Sequence, residues 1–406
     1  MHPNIHQLYQ IANKPSRKIL GLMSGTSMDG LDIALCEITG GGLNTKVTLL
    51  QFATLAYDNN MKEQILSVFS KEMVPLEKLT LLNAWIATQH AKMVNETLHT
   101  WNIPNTEIDL IASHGQTIYH APKSLHPHDE FENATLQIGD GDHIAVKTGI
   151  ITISDFRQKH IAAGGEGAPL ALFGDYLLCV DTIENRLLLN IGGIANYTYL
   201  PANAKLNEVC STDTGPGNTM MDAYMRKHYQ KPYDKDGAIA QEGKVNNVLL
   251  NKLLEEAFFA LEIPKTIGPE LFNIAFVEKA LLATGLTQMK VPDIMATLAL
   301  FTATTIVDAI YKWVPANENF TLYTSGGGMH NPVIMQHLKK LMPNIQIVSS
   351  EKMGIPPDAK EAILFAVLAN EGVAGAPMLA GNNATKIPIT MGKIKRAKVK
   401  PADKTL

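Results

Sequence analysis

The chain has 406 residues, of which 46% are apolar and 18% are charged, and its formal net charge is −4. This length exceeds what one hydrophobic core usually serves, so two domains are expected. The slightly negative net charge does not indicate a basic surface, so nucleic acid is not expected as a partner. The cysteines (Cys36, Cys179 and Cys210) match neither a disulfide framework nor a zinc site, which is typical of a reducing, cytoplasmic compartment.

Residues 1–17 show no regular pattern and no signal-peptide character, so they are predicted to be a polar N-terminal extension. The longest apolar stretch, residues 294–306, is too short to span a membrane and contains threonines. No membrane partner is therefore expected. A Walker A sequence is also absent, which excludes a P-loop nucleotide enzyme.

The stretch of residues 21–32 reads Gly-Leu-Met-Ser-Gly-Thr-Ser-Met-Asp-Gly-Leu-Asp. Apolar residues precede it and an alternating pattern follows it, which predicts a β-hairpin with a small, polar tip. Gly25 and Gly30 allow close approach of the backbone to a ligand. The hydroxyls of Ser24, Thr26 and Ser27 add donors, and such a group suits a polyanion.

Asp29 and Asp32 lie at the same hairpin and would repel a bare phosphate unless a divalent cation lies between them. The stretch therefore predicts a site for the phosphates of a magnesium–nucleotide complex. The alternative is an ordinary hairpin without a ligand. A two-residue turn would serve for that, so the extra length favours a ligand.

The pattern restarts at residues 186–199, where strand, glycine turn (Gly192 and Gly193) and strand follow each other again. Two hairpins of one kind suggest a duplicated architecture with a nucleotide between its halves. Asp213 then opens the run Asp-Thr-Gly-Pro-Gly-Asn, and a helix is expected to begin near Asn218. Residues 322–331 predict strand, glycines and helix, where a phosphate or flat ligand can approach the backbone.

Further elements follow from periodicity. The predicted strands are residues 109–114, 135–140 and 150–155, and the predicted helices are residues 61–70, 79–101, 293–313 and 357–369. The strand ending at His114 continues with polar residues, and in an α/β protein ligands gather at such strand ends. A plain exit from strand to loop is the alternative.

In this order, the motifs resemble those of the anhydro-N-acetylmuramic acid kinase family, within the actin-like ATPase and sugar kinase superfamily. The resemblance extends from residue 19 to about residue 375. It implies an α/β fold of two duplicated actin-like ATPase (ribonuclease H-like) domains with a central cleft. The first domain would comprise residues 18–184 plus 372–406, and the second residues 185–371.

The resemblance also implies a reaction. ATP with Mg²⁺ would phosphorylate 1,6-anhydro-N-acetylmuramic acid after water has opened its anhydro ring, which gives N-acetylmuramic acid 6-phosphate and ADP in peptidoglycan recycling. Asp29 is the implied contact to the metal, through the nucleotide. The implied nucleotide-binding residues are Gly25, Thr26, Ser27, Met28, Asp29, Gly30, Leu31, Asp32, Gly192, Gly193, Gly326, Gly327 and Gly328.

Candidates for the catalytic base are aspartates at strand ends: Asp29, Asp140, Asp155 and Asp213. Asp213 is our choice because a rigid turn follows it, and the aspartate of this motif is the base in the resembled family. A turn or helix-capping role is the alternative. Glu361 is the second catalytic residue that the resemblance implies.

Glu361 also has a structural alternative, because it lies three residues after Asp358, which is the spacing of a capping box. Arg157 is the expected partner of the substrate's lactyl carboxylate, since its planar guanidinium can bind a carboxylate in two places. An ion pair with Asp155 or Glu166 is the alternative for Arg157. The other implied substrate-binding residues are His114, Gln116 and Asn218.

One departure from the family is visible at Pro269, where relatives often have arginine. A competing function is a non-catalytic, sugar-sensing module of the same fold, although such a module needs no catalytic base. A chaperone-like or polymerising ATPase would need an additional segment that this length does not provide. The sequence leaves open whether the chain forms a homodimer.

Overall fold

The computed structural model describes residues 2–25, 28–123, 126–167, 170–267, 271–315, 317–377 and 389–397. The chain divides into two compact units. Unit 1 comprises Met1–Leu178 and Asp358–Leu406, and unit 2 comprises Cys179–Pro357.

The strands, in chain order, are β1 (Ser16–Ser24), β2 (Gly30–Thr39), β3 (Lys46–Ala56), β4 (Leu110–Ala121), β5 (Ala134–Ile138), β6 (Thr152–Ser154), β7 (Arg186–Ile191), β8 (Ile194–Leu200), β9 (Cys210–Pro216), β10 (Thr321–Ser325), β11 (Gln346–Ser349) and β12 (Lys393–Lys395). The α-helices are α1 (Pro3–Ala12), α2 (Asn59–Leu66), α3 (Leu76–Thr100), α4 (Gly141–Thr148), α5 (Phe156–Ala162), α6 (Ala171–Cys179), α7 (Thr219–Tyr229), α8 (Ala238–Glu242), α9 (Asn247–Leu254), α10 (Ile274–Ala283), α11 (Val291–Trp313), α12 (Pro332–Leu341) and α13 (Lys360–Ala374). Short 3₁₀ helices include Ala257–Ala260, Gly327–His330 and Pro357–Ala359.

Unit 1 contains a mixed sheet with the strand order β12-β6-β4-β1-β2-β3, and β5 pairs with β4 beside this path. Strands β1, β2 and β3 are antiparallel neighbours. Strand β4 lies parallel to β1, and β6 lies parallel to β4. The predicted first hairpin is therefore present as β1 and β2.

Unit 2 repeats this arrangement, with the strand order β11-β10-β7-β8-β9. Strands β7, β8 and β9 are antiparallel neighbours, and β10 and β11 follow in parallel to β7. Each half thus has three antiparallel strands followed by parallel strands on the other side of the first. The predicted α/β class and duplicated architecture are confirmed, although the two hairpins share little sequence.

Helix α13 packs against β1, β2 and β4 of unit 1. Gly21 permits this contact, because a Cβ atom at that position would lie 1.8 Å from the carbonyl oxygen of Ala362. The sequence prediction placed the return to the first domain at residue 372. The contact division differs and places it at Asp358, since α13 buries its apolar residues on the sheet of unit 1.

Residues 1–17, predicted to be a polar N-terminal extension without a regular pattern, include the helix α1 over Pro3–Ala12. The His2 side chain accepts a hydrogen bond from the Asn4 amide at 3.2 Å and caps the helix. Asn4 also donates through Nδ2 to the Ala397 carbonyl at 2.7 Å. A helix this short depends on such tertiary contacts, which the local pattern does not reveal.

Helix α11 is the central helix of unit 2 and packs against α7, α8, α9, α12 and β9. Its length and composition would suffice to cross a membrane, but 78% of its most apolar window is buried inside the fold. This burial is typical of a core helix. The predicted helix over residues 293–313 is therefore confirmed as a core element.

Candidate active site

In unit 2, the turn between β7 and β8 is joined to the loop that leads into α7. The Gly217 amide donates to the Gly193 carbonyl at 2.8 Å, and the Asn218 amide donates to the Gly192 carbonyl at 2.8 Å. Asn218 is the N-terminal capping position of α7, as predicted, and its Nδ2 donates to the Ile191 carbonyl at 3.4 Å. The glycine turn and this helix N-terminus thus form one local structure.

Gly326, Gly327 and Gly328 lie against the end of β7. Gly326 has a φ of +81°, and a Cβ atom there would lie 2.7 Å from the Ile191 carbonyl oxygen. A Cβ atom on Gly328 would lie 2.2 Å from Ile191 Cγ2. Packing therefore requires glycine at positions 326 and 328, and it brings this cluster to the same end of the sheet as Gly192 and Gly193.

Asp213 lies on β9, opposite Asn196 on β8. Its Oδ2 accepts a hydrogen bond from the Ile267 amide at 2.8 Å, and its own amide donates to the Lys265 carbonyl at 2.9 Å. Burial raises the pKa of the Asp213 carboxyl, while the hydrogen bond from Ile267 acts in the opposite direction. The predicted alternative of helix capping does not apply, because Asn218 occupies that position of α7.

In unit 1, the tip of the first hairpin includes Gly25 and Met28–Asp29, whereas the predicted ligands Thr26 and Ser27 lie outside the described residues. Met28 has a left-handed backbone with a φ of 58°. Its side chain is 5% exposed and belongs to the hydrophobic core. Leu31 is likewise a core residue, so the side chains of Met28 and Leu31 are not available to a nucleotide.

A buried chain of hydrogen bonds supports this tip from behind. The Tyr57 hydroxyl lies 2.7 Å from His90 Nε2 and donates to Ser24 Oγ at 2.8 Å. The Ser24 hydroxyl in turn donates to Gln116 Oε1, and Gln116 Nε2 donates to the Gly25 carbonyl at 3.2 Å. All four of these side chains are buried.

Two sequence interpretations change as a result. Ser24 was expected to offer its hydroxyl to a phosphate, but that hydroxyl is directed to Gln116. Gln116 was expected to bind the sugar, but its side chain is completely buried and holds the hairpin tip. Strand alternation alone does not reveal these orientations, because a bulge shifts the register between β1 and β4 near Ser24.

Arg157 lies in the first turn of α5. Its Nε donates to His114 Nε2 at 3.0 Å, and its Nη1 donates to the Gly167 carbonyl at 2.7 Å. Burial lowers the pKa of His114 to about 3, so the ring is neutral and accepts this hydrogen bond. His114 therefore orients Arg157 from the protein side. The alternative pair with Asp155 is not formed, since Asp155 pairs with Lys393.

Glu361 is the second residue of α13, and its side chain is exposed. The surrounding protein still desolvates the carboxyl and raises its pKa, whereas the positive charge of Arg157 lowers it. The predicted capping box does not form: the N-terminal capping residue of α13 is Ala359, without a side-chain hydrogen bond. Asp358 belongs instead to the preceding 3₁₀ helix.

Carboxylates are concentrated beside the hairpin of unit 1. Burial raises the pKa of Asp32, and the negative charges of Asp358 and Asp29 raise it further. Thr54 Oγ1 donates to Asp32 Oδ1 at 2.6 Å. In the part of the chain that the structure describes, no group of three or more potential ligands is arranged to hold a metal ion by itself. Hard oxygen donors of this kind suit a magnesium ion that is held mainly by nucleotide and water.

Asp140, another candidate base, has a structural role. Its Oδ1 accepts a hydrogen bond from the Asp142 amide at 2.8 Å and caps α4. Asp155 forms its ion pair with Lys393. Of the four candidate bases, Asp213 and Asp29 therefore remain, because neither caps a helix nor forms such an ion pair in the part of the chain that the structure describes.

The profile of the anhydro-N-acetylmuramic acid kinase family matches residues 17–394. The anhydro-N-acetylmuramic acid kinase of Pseudoalteromonas atlantica is 55% identical over 397 residues, which cover 97% of this chain and 99% of that protein. The chain belongs to the anhydro-N-acetylmuramic acid kinase family. The family member of Pseudoalteromonas translucida is 52% identical, with the same coverage.

Among solved structures, the chain is similar to the activator of the 2-hydroxyisocaproyl-CoA dehydratase from Clostridium difficile with bound ADPNP. The sequence identity is 12% and the TM-score is 0.41, and the match covers 88% of this chain and 96% of that one.

Sequence reasoning missed several polar residues at the site of this family member. Tyr57 and His90 hold the first hairpin, and Lys265 contacts the strand that carries Asp213. Tyr57 directly follows β3 and His90 lies on α3, and neither residue belongs to a glycine-rich motif. Pro269, where the sequence departs from the expected family pattern, lies outside the described residues.

Proposed function

We propose that this chain is an ATP-dependent kinase that hydrolyses the 1,6-anhydro ring of 1,6-anhydro-N-acetylmuramic acid and phosphorylates O6. The products are N-acetylmuramic acid 6-phosphate and ADP, and the setting is cytoplasmic recycling of peptidoglycan and catabolism of amino sugars. The supporting observation is the 55% identity to a kinase of this name over 97% of the chain. The position of Asp213 also supports this proposal, because β9 leads into the loop that is hydrogen-bonded to the turn of Gly192 and Gly193.

In the proposed reaction, Asp213 accepts a proton from water as the water oxygen forms a bond to C1. The bond between C1 and O6 breaks, and O6 then attacks the γ-phosphorus of ATP. The bond between the γ-phosphorus and the bridging oxygen breaks, and ADP leaves. The raised pKa of Asp213 makes it a stronger base than an ordinary aspartate, although a smaller fraction is ionised at low pH.

The other residues have complementary roles in this proposal. Arg157, held by His114 and the Gly167 carbonyl, binds the lactyl carboxylate. Glu361 positions water or assists proton transfer, since desolvation raises its pKa and the positive charge of Arg157 acts on its carboxyl. Asn218 contacts the substrate from the N-terminus of α7.

Glycine-bearing backbone at both hairpins and at residues 326–328 binds the nucleotide in this proposal. Asp29 and Asp32 would hold the magnesium ion of the nucleotide complex, whose positive charge would offset their mutual repulsion. When bound, this ion neutralises charge on the phosphates during transfer.

The test is turnover of the anhydro sugar by the wild-type chain and by Asp213→Asn, measured by coupled ADP release. We expect Asp213→Asn to lower kcat by about 10²–10⁴-fold, the usual contribution of a general base. Asp140→Asn is a matched control, since Asp140 only caps α4, and it should retain near-wild-type turnover.

Water labelled with oxygen-18 tests the ring-opening step, because the label should appear at C1 of the product by mass spectrometry. Near-full turnover by Asp213→Asn would show that this base assignment is wrong. A wild-type chain that binds the anhydro sugar without releasing ADP would favour the alternative, a sugar-sensing module of the same fold.

A further inference from the structure

The Lys265 side chain lies inside an aromatic cluster of unit 2. Lys265 is 8% exposed, and its Nζ donates to the Phe258 carbonyl at 2.7 Å. The same nitrogen lies 4.2 Å from the centroid of the Phe258 ring and 5.9 Å from that of Phe259. Both phenylalanines belong to the 3₁₀ helix Ala257–Ala260. The side chain therefore connects the loop around Lys265 to this helix.

The backbone of Lys265 is joined to β9. Its amide donates to Thr212 Oγ1 at 2.9 Å, and its carbonyl accepts from the same hydroxyl at 3.1 Å. That carbonyl also accepts the Asp213 amide at 2.9 Å. Two residues further on, the Ile267 amide donates to the Asp213 carboxylate at 2.8 Å. One short segment thus binds both the backbone and the carboxylate of Asp213.

We propose that Lys265 is a positioning residue for Asp213, which it serves by fixing the loop that directs the Ile267 amide to the Asp213 carboxylate. This inference rests on the proposed function, in which Asp213 is the base. The ammonium group acts from the far side of the loop, through the Phe258 carbonyl and ring. It therefore has no direct part in the reaction.

A purely structural role would not require a charge at this position. A buried ammonium is costly, and well-packed apolar residues of similar volume often replace even buried ion pairs without loss of stability. Burial lowers the pKa of Lys265 to about 8, with the charge of Lys312 acting in the same direction, which is the expected consequence of this environment. A directional hydrogen bond combined with a ring contact gives the loop one orientation, which a methylene chain alone would not specify.

The experiment compares Lys265→Met with Lys312→Met. Lys312 is a matched control because its Nζ donates to the next carbonyl of the same 3₁₀ helix, that of Phe259, from an exposed position. We expect Lys265→Met to lower kcat by about 10- to 100-fold, since small misplacements of catalytic groups have effects of this size. The KM for ATP should stay near the wild-type value. Lys312→Met should resemble the wild type in both constants.

Hydrogen exchange of the Ile267 amide gives a second readout that does not depend on turnover. Exchange should be faster in Lys265→Met and unchanged in Lys312→Met. Lys265→Arg, which keeps the charge, should recover part of the kcat and of the protection. If Lys265→Met does not accumulate as folded protein, Lys265→Gln takes its place with the same expectations.

Two results would overturn the inference: wild-type kcat in Lys265→Met, or a lowered kcat with unchanged exchange at Ile267. The proposed role of Asp213 as the base fails in a different way, through full turnover by Asp213→Asn, and the proposed kinase function fails if the wild type binds the anhydro sugar without releasing ADP. If Asp213→Asn keeps full turnover, faster exchange at Ile267 in Lys265→Met would still support the inference that Lys265 fixes this loop. Unchanged exchange would refute it.

Discussion

Arg157 in unit 1 and Asp213 in unit 2 are each oriented by a neutral group. A neutral His114 accepts from Arg157, and the Ile267 amide donates to Asp213. A charged imidazole could not accept from a guanidinium, so the low pKa of His114 is required for this arrangement. Neutral partners fix the geometry of Arg157 and Asp213 while leaving their charges available to a substrate.

Arg157→Ala is expected to raise the KM for the anhydro sugar with little change in the KM for ATP. A hydrogen bond to a charged group contributes about 1.5–3 kcal/mol, which corresponds to about 10- to 150-fold in KM. Steady-state kinetics with each substrate varied in turn measures both constants. Lys159→Ala is the control, because Lys159 lies exposed on the same helix. An unchanged KM for the sugar would remove the carboxylate-binding role from Arg157.

At the scale of elements, the position of α13 depends on its contact with β1. The helix buries its apolar residues on the sheet and carries Glu361 in its first turn. Gly21 allows the helix backbone to approach, since the carbonyl of Ala362 occupies the space of a side chain. The first hairpin and Glu361 are therefore held in one rigid part of unit 1.

Gly21→Ala is expected to destabilise the protein, because the new Cβ atom would lie 1.8 Å from the Ala362 oxygen. The helix would have to move, and overpacking of this kind costs typically about 1–3 kcal/mol. Urea denaturation measures the loss. Gly149→Ala is the comparison: Gly149 has a φ of +74° with no neighbouring atom within 4 Å, so only backbone strain of about 1 kcal/mol is expected. Equal stabilities of Gly21→Ala and the wild type would contradict the close contact.

The sequence predicted the elements that carry a strong local signal. Both hairpins, the start of α7 at Asn218 and the core helix α11 follow from glycine turns and apolar periodicity. Helix α1 was missed because a contact with Ala397, far along the chain, stabilises it. The capping box considered at Asp358 does not form, because Asp358 lies in a 3₁₀ helix and Ala359 is the N-terminal capping residue of α13.

Side-chain directions at the site were less accessible to sequence reasoning. The sequence identifies Ser24 and Gln116 as polar residues at strand ends, but their hydrogen bonds depend on a bulge in the pairing of β1 with β4. Lys265 was visible only as part of a loop, since its contacts come from segments far apart in sequence. Tertiary partners, which no local pattern contains, decide these roles.

At the scale of the whole molecule, the two units share an order of five strands, β6-β4-β1-β2-β3 in unit 1 and β11-β10-β7-β8-β9 in unit 2, but they differ in chain continuity. Unit 2 is one continuous segment, Cys179–Pro357, whereas unit 1 combines both ends of the chain. The sheet of unit 1 receives β12 from the C-terminal part, paired antiparallel with β6. Its central strands receive α13. Unit 1 is therefore complete only after the C-terminal part of the chain is present.

A chain that ends at Pro357 is expected to keep unit 2 folded and to lose the fold of unit 1. Removal of α13 exposes the apolar face of β1, β2 and β4, which α13 covers with its buried residues. Limited proteolysis should then leave a resistant fragment close to residues 179–357, and hydrogen exchange should be fast throughout β1 and β2. A chain that ends at residue 377 keeps α13 and loses the edge strand β12 and the Ala397 contact of α1, so it should still protect β1, β2 and unit 2. Slow exchange in β1 and β2 of the shorter chain would show that unit 1 folds without its C-terminal helix.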